Sequence, residues 1–157
     1  MKQTVLSIFN YKESLLVNKS FLLVLFLLLG FLGFLDATYL TIVHYKNIIP
    51  SCSLAHGCET VLTSKYAVVG SIPIALLGSV FYLTIIILLG IFWQTGKKVL
   101  TSMLLALTTF GLLVAFYLVY LQAFVLHAFC QYCLGSEVID FLLFDCAWWL
   151  WRRTNKD

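Results

Sequence analysis

The sequence predicts an all-α integral membrane protein. The expected fold is a bundle of four transmembrane helices, with an extracytoplasmic loop and a short helix after the first span. Three observations carry this. Of 157 residues, 62% are hydrophobic and only 11% charged, against roughly 25% charged in soluble domains, which leaves too few polar groups for a water-facing surface. The apolar residues fall into four runs, each near the ~20 residues that a helix needs to cross the hydrocarbon core. The basic residues gather at the ends of those runs. One membrane domain is expected at residues 20–151, between cytoplasmic tails at 1–19 and 152–157.

The first run extends from Phe21 to about His44 and contains one carboxylate, Asp36. It reads as a retained anchor rather than a cleaved signal peptide, because residues 37–43 simply continue it and no small-residue cleavage pattern follows. The second run, about Ile72 to Trp93, and the third, Val99 to about Leu126, carry no charge. The fourth begins near Cys130, ends at Trp151, and carries Glu137, Asp140 and Asp145. All four are too long for barrel strands and lack their alternation. The tail before Phe21 has Ile8, Phe9, Leu15 and Leu16 between lysines. It reads either as a short amphipathic helix on the inner leaflet or as a disordered tail.

Charge sets the orientation. Lys2, Lys12, Lys19, Lys97, Lys98, Arg152, Arg153 and Lys156 lie on one side of a four-span chain, and only Lys46 and Lys65 on the other. The positive-inside rule then puts both termini in the cytoplasm. Trp93, Trp148, Trp149 and Trp151 fall near the inner boundary, where an aromatic belt is expected. The loops at about 45–71 and 127–130 face outward. A net charge of +3 spread in this way does not indicate nucleic acid.

Four of the five cysteines lie in or beside the outward loops. In a bacterium that side is the oxidising periplasm, where disulfides persist. Cys130 and Cys133 form a C-x-x-C pair at the outer start of the fourth helix. A helix N-terminus stabilises a thiolate, the attacking species in disulfide exchange. The bland readings of this pair are metal binding and chance. Cys52 and Cys58 form a second pair in the first loop, among Pro50, Ser51, Ser53 and Gly57, in a segment expected to be irregular and mobile. It reads as a static staple, as half of a four-cysteine zinc site, or as the mobile member of a relay. In the relay, the loop pair meets a soluble dithiol and the C-x-x-C pair meets an apolar acceptor at the lipid boundary. A membrane quinone suits that acceptor, since the chain has neither G-x-G-x-x-G nor C-x-x-C-H.

The chain resembles the vitamin K epoxide reductase (VKOR) family. The matching stretches are CSLAHGCETVLTSKY at 52–66, LLGSVFY at 76–82 and FCQYCL at 129–134. The resemblance rests on the widely spaced pair coming first, Ser64 six residues after Cys58, and C-x-x-C opening the last span. DsbB-type proteins also have four spans and two cysteine pairs but place C-x-x-C first. The resemblance implies that Cys133 faces a quinone, ubiquinone or menaquinone, and that Cys130 exchanges with the loop through Cys58. It implies that Cys52 meets the protein substrate and that Ser64 lies near the quinone head. It further implies a bacterial inner-membrane enzyme that reoxidises a periplasmic thioredoxin-fold (DsbA-like) thiol oxidase. Because the sequence stops at Asp157 without a thioredoxin-like domain, that partner is expected to be a separate chain. Animal members have a tyrosine near the quinone where this chain has Glu137, and an asparagine where it reads Ile72-Pro73-Ile74. The expected activity is therefore quinone reduction rather than epoxide reduction.

Other residues carry paired readings. Ser64 is also suited to capping a short helix beginning Lys65-Tyr66; the segment after Cys58 reads as a short amphipathic helix across a cavity mouth. Asp36, Glu137 and Asp140 are candidate proton carriers by their membrane depth, or polar contacts between helices and at a helix start. Asp145 is expected to pair with Arg152 or Arg153. His56 and His127 lie close enough to cysteines to tune a thiol, or are idle. His44 reads as a helix end, and Cys146 as an inert buried thiol.

Overall fold

The computed structural model describes residues 2–48, 50, 52 and 57–156, with side chains described from Ser20 onward. Its elements in order are helix α1 (Lys2–Tyr45), helix α2 (Cys58–Leu62), strand β1 (Val68–Val69), strand β2 (Ile72–Pro73), helix α3 (Ile74–Thr95), helix α4 (Lys98–Tyr120) and helix α5 (Gln131–Lys156). A π-helical turn, Leu121–Val125, continues α4. Three of the long helices are long and apolar enough to cross a membrane, over Ser20–Tyr45, Ile74–Thr95 and Lys98–Val125. The fourth, α5, packs against α1 and α4. It carries more charge than the others, with Glu137, Asp140 and Asp145 along its length and Arg152, Arg153 and Lys156 in its last turns.

The bundle is held by side chains that point inward from all four long helices. Phe26 of α1, Ile85 and Leu89 of α3, Leu104 of α4, and Leu143 and Leu150 of α5 are almost wholly buried. The outer faces are apolar as well: Leu28, Phe31 and Leu32, Val80, Leu83 and Ile87, and Phe110 and Leu113 all stand exposed. Water would penalise such a surface, whereas a bilayer is its natural solvent. Gly33 lets α1 approach α3, since a Cβ there would lie 2.5 Å from the Tyr82 ring. At the other end, Gly96 (φ +63°) terminates α3 in the left-handed conformation, and the extended Lys97 leads into α4 at Lys98.

The structure adjusts several expectations. The first 19 residues are neither a separate amphipathic helix nor an irregular tail, because α1 runs unbroken from Lys2. The second span starts at Ile74 rather than about Ile72. Ile72 and Pro73 instead belong to a two-stranded antiparallel hairpin, which pairs Val68 with Pro73 and Val69 with Ile72. Gly70 (φ +66°) turns it, and Pro73 then precedes the helix without needing an N–H. No helix begins at Lys65. Ser64 lies beyond the end of α2, its hydroxyl donating to the Val61 carbonyl at 2.8 Å. Among the described residues no ion pair joins Asp145 to Arg152 or Arg153. Asp145 is exposed, and the two guanidinium groups lie over the rings of Trp148 and Trp149, at 5.3 and 5.8 Å.

Candidate redox site and apolar cavity

The C-x-x-C pair opens α5. Cys130 occupies the N-cap position: its carbonyl accepts the first helical bond, from the Leu134 N–H at 2.9 Å, and its Sγ accepts the Cys133 N–H at 3.4 Å. A sulfur here meets the unpaired amides and partial positive charge of a helix start. Cys130 is fully buried and Cys133 half-buried, and both are free thiols.

Cys52 and Cys58 are joined as a disulfide. Cys58 begins α2 and is buried. The residue before it, Gly57, packs so closely on the segment leading into Cys130 that a Cβ would lie 2.7 Å from the Phe129 nitrogen and 2.8 Å from its carbonyl oxygen. The loop pair and the C-x-x-C pair are therefore neighbours in space, although 72 residues separate Cys58 from Cys130 in the chain.

Below them a cavity of about 420 Å³ opens between the helices. Its walls are mostly apolar, including Phe81, Val114, Leu118 and Leu121. Cys133, Ser64, Glu137 and Asp140 add polar groups to its lining. This size and lining are usual for a small-molecule site. The residues fit a quinone. Apolar walls can take the ring and the start of an isoprenoid tail, and a ring oxygen can accept from the Ser64 hydroxyl once it turns from the Val61 carbonyl, or from Glu137 when its carboxyl is protonated.

A buried polar network backs this site. Gln122, in the π-helical turn, accepts the Cys130 N–H through its Oε1 at 2.9 Å and donates its Nε2 to Glu137 Oε1 at 2.8 Å. Asp36 of α1 accepts a short hydrogen bond from the Ser136 hydroxyl, a polar contact between helices. The Tyr82 hydroxyl donates to the Ser136 carbonyl at 3.2 Å and also faces Asp140. Sequence reasoning misses Gln122, Tyr82 and Ser136. The only hint of Gln122 is an amide inside an otherwise apolar run.

The remaining candidates are spread out. His127 is exposed, with φ at +47°. His44 lies one residue from the end of α1 and reaches the cavity. Cys146 is buried in the helical core. His56, Ser51 and Ser53 lie outside the described residues. Among those described, no group of three or more His, Cys, Asp and Glu side chains gathers to hold a metal ion.

No curated protein matches the chain. The model of the Vitamin K epoxide reductase family matches residues 24–148. That stretch takes in most of the bundle, the hairpin, the cavity wall and both cysteine pairs. A match of this extent makes the chain a member of the vitamin K epoxide reductase family, and with that a membrane oxidoreductase.

Proposed function

We propose that the protein is a quinone-dependent thiol:disulfide oxidoreductase that reoxidises a periplasmic thioredoxin-fold (DsbA-like) partner and thereby supports disulfide bond formation. In this reading the domain at 20–151 sits in the bacterial cytoplasmic membrane with both tails inside and the cysteines outside. The acceptor is ubiquinone or menaquinone. The observation that carries the reading is the juxtaposition at the top of α5. Cys133 lines an apolar cavity, while the backbone before Cys130 lies against Gly57, next to the buried Cys58.

The electron path follows from that order. The partner's thiolate attacks the Cys52–Cys58 disulfide at Cys52, and the partner leaves oxidised. Cys58 then attacks Cys130 of the C-x-x-C disulfide and releases Cys133 as a thiolate at the cavity wall. The Cys52–Cys58 disulfide closes again as Cys52 displaces Cys130. Cys130 and Cys133 then lose two protons and two electrons to the quinone as their own disulfide re-forms. Ser64, Cys133 and Glu137 line the space for the quinone head, with Ser64 as the hydrogen-bond donor to a ring oxygen.

The test is quinone reduction by the purified protein, driven either by a reduced thioredoxin-fold partner or by a small dithiol. C133A and C130A are expected to abolish both reactions. C52A is expected to abolish the partner-driven reaction and to keep most of the rate with the small dithiol. Equal loss in both assays for C52A would contradict the shuttle role of the loop pair. No quinone reduction by the unaltered protein would end the proposal.

A further inference from the structure

Dithiol oxidation releases protons and quinone reduction takes them up, so a site that joins the two reactions needs a group able to carry a proton between them. We propose that Glu137 is that group, and that Gln122 is the positioning residue that holds it between the thiol pair and the cavity. The inference deepens the proposed function and rests on it.

Glu137 follows Cys133 by four residues on α5, so the two share one face, a single turn apart. Both line the cavity. The amide of Gln122 is fixed at both ends. Its oxygen is committed to the Cys130 N–H, so its NH₂ group must face Glu137, where it binds Oε1. The i→i+5 backbone bond from the Leu126 N–H to the Leu121 carbonyl, at 2.8 Å, marks the π-helical turn that carries Gln122; such turns recur at functional sites. Glu137 Oε2 is buried without a hydrogen-bond partner. A buried carboxylate oxygen left unpaired is costly. It is understandable where a proton or a substrate oxygen arrives.

The other carboxylates are less suited. Asp36 is engaged by Ser136. Asp140 also has a buried unpaired oxygen, but it lies beside Tyr82 and no hydrogen bond among the described residues links it to the cysteines. His44, Tyr66 and Tyr117 line the cavity from α1, the segment before the hairpin and α4.

The step balances without an outside acid. Two S–H bonds break and one S–S bond forms between Cys130 and Cys133. Two electrons pass to the quinone, and the two protons end on its two oxygens. Glu137 takes a thiol proton on Oε2, gives it to the nearer ring oxygen, and ends the turnover as it began.

The experiment uses the full chain with dithiothreitol as donor and a short-tailed ubiquinone as acceptor, followed across pH. E137Q keeps the shape and the Gln122 contact but cannot carry the proton. It is expected to lower kcat by roughly 10²-fold, the usual contribution of a positioned acid–base group, with the KM for quinone nearly unchanged. The arm of the pH profile belonging to Glu137 should vanish, leaving what Asp36, Asp140, Cys130, Cys133, His44 and the tyrosines contribute. Reduction of the C-x-x-C disulfide by dithiothreitol should persist. Q122L, which frees the carboxyl, should lower kcat less and displace the same pH arm; it carries the test alone if E137Q does not fold. A wild-type kcat and pH profile in E137Q, or a change confined to KM, overturns the inference and leaves the oxidoreductase reading intact. Absence of quinone reduction in the unaltered protein overturns both.

Discussion

Gly57 sets how near the two cysteine pairs can come. The atoms that an added Cβ would meet are the backbone nitrogen and oxygen of Phe129, at 2.7 and 2.8 Å, and backbone cannot swing aside as a side-chain tip can. Gly57→Ala must therefore push α2 off the segment that leads into Cys130. The Gly57 φ of −103° is open to alanine, so the effect is one of spacing rather than of backbone strain. Misplacing reacting atoms by ~1 Å can cost on the order of 10²-fold in rate. G57A is expected to slow partner-driven quinone reduction by roughly that factor while leaving C-x-x-C oxidation by quinone near its original rate. Rapid-quench thiol trapping of the two pairs would measure each step separately. Equal rates of loop oxidation in G57A and the unaltered protein would mean that this contact does not set the exchange distance. Nothing in the sequence around Gly57 distinguishes it from an ordinary loop glycine, since its constraint comes from Phe129, far along the chain.

At the scale of elements, the α1–α3 pair depends on a similar close approach. A Cβ on Gly33 would lie 2.5 Å from the Tyr82 ring. Tyr82 is buried and tied to the Ser136 carbonyl of α5, so it cannot easily withdraw. Overpacking of this kind costs about 1–3 kcal/mol. Gly33→Ala is therefore expected to lower the melting temperature in detergent, and adding Tyr82→Leu should recover part of the loss by making room. A G33A protein that melts like the original would show that the ring moves freely. The spans themselves are legible in the sequence because a bilayer demands long apolar runs, and hydropathy reports that directly. The hairpin is not. Two-residue strands leave no alternation to read, and Ile72 and Pro73 resemble the first residues of the span that they in fact precede. The extension of α1 through residues 2–19 is equally hidden, because that stretch mixes lysines and apolar residues without a pattern that separates helix from tail.

Across the whole molecule, most of the basic residues and the cysteine pairs occupy opposite ends, with only Lys46 and Lys65 on the cysteine side. Lys97 and Lys98 join α3 to α4 beside Gly96, and Arg152, Arg153 and Lys156 close α5. The Trp151 indole donates to the Ser102 hydroxyl at 3.2 Å, which fastens the last turns of α5 to the first turns of α4. Cys52, Cys58, Cys130 and Cys133 lie at the far end, where α1 finishes and α5 starts. The charge distribution predicts that the basic end is cytoplasmic. Electron transfer requires both dithiols on one side, because a disulfide exchange cannot cross ~30 Å of hydrocarbon. After mild reduction, a membrane-impermeant maleimide added to intact spheroplasts is expected to label Cys52 in a variant that retains only that cysteine. Inside-out vesicles of the same variant should stay unlabelled until detergent is added. Lys97→Cys at the α3–α4 turn, in a background without other cysteines, reports on the inner face and should give the reverse pattern. Labelling of Cys52 and of the Lys97→Cys site from the same side would break the separation of ends on which the electron path depends.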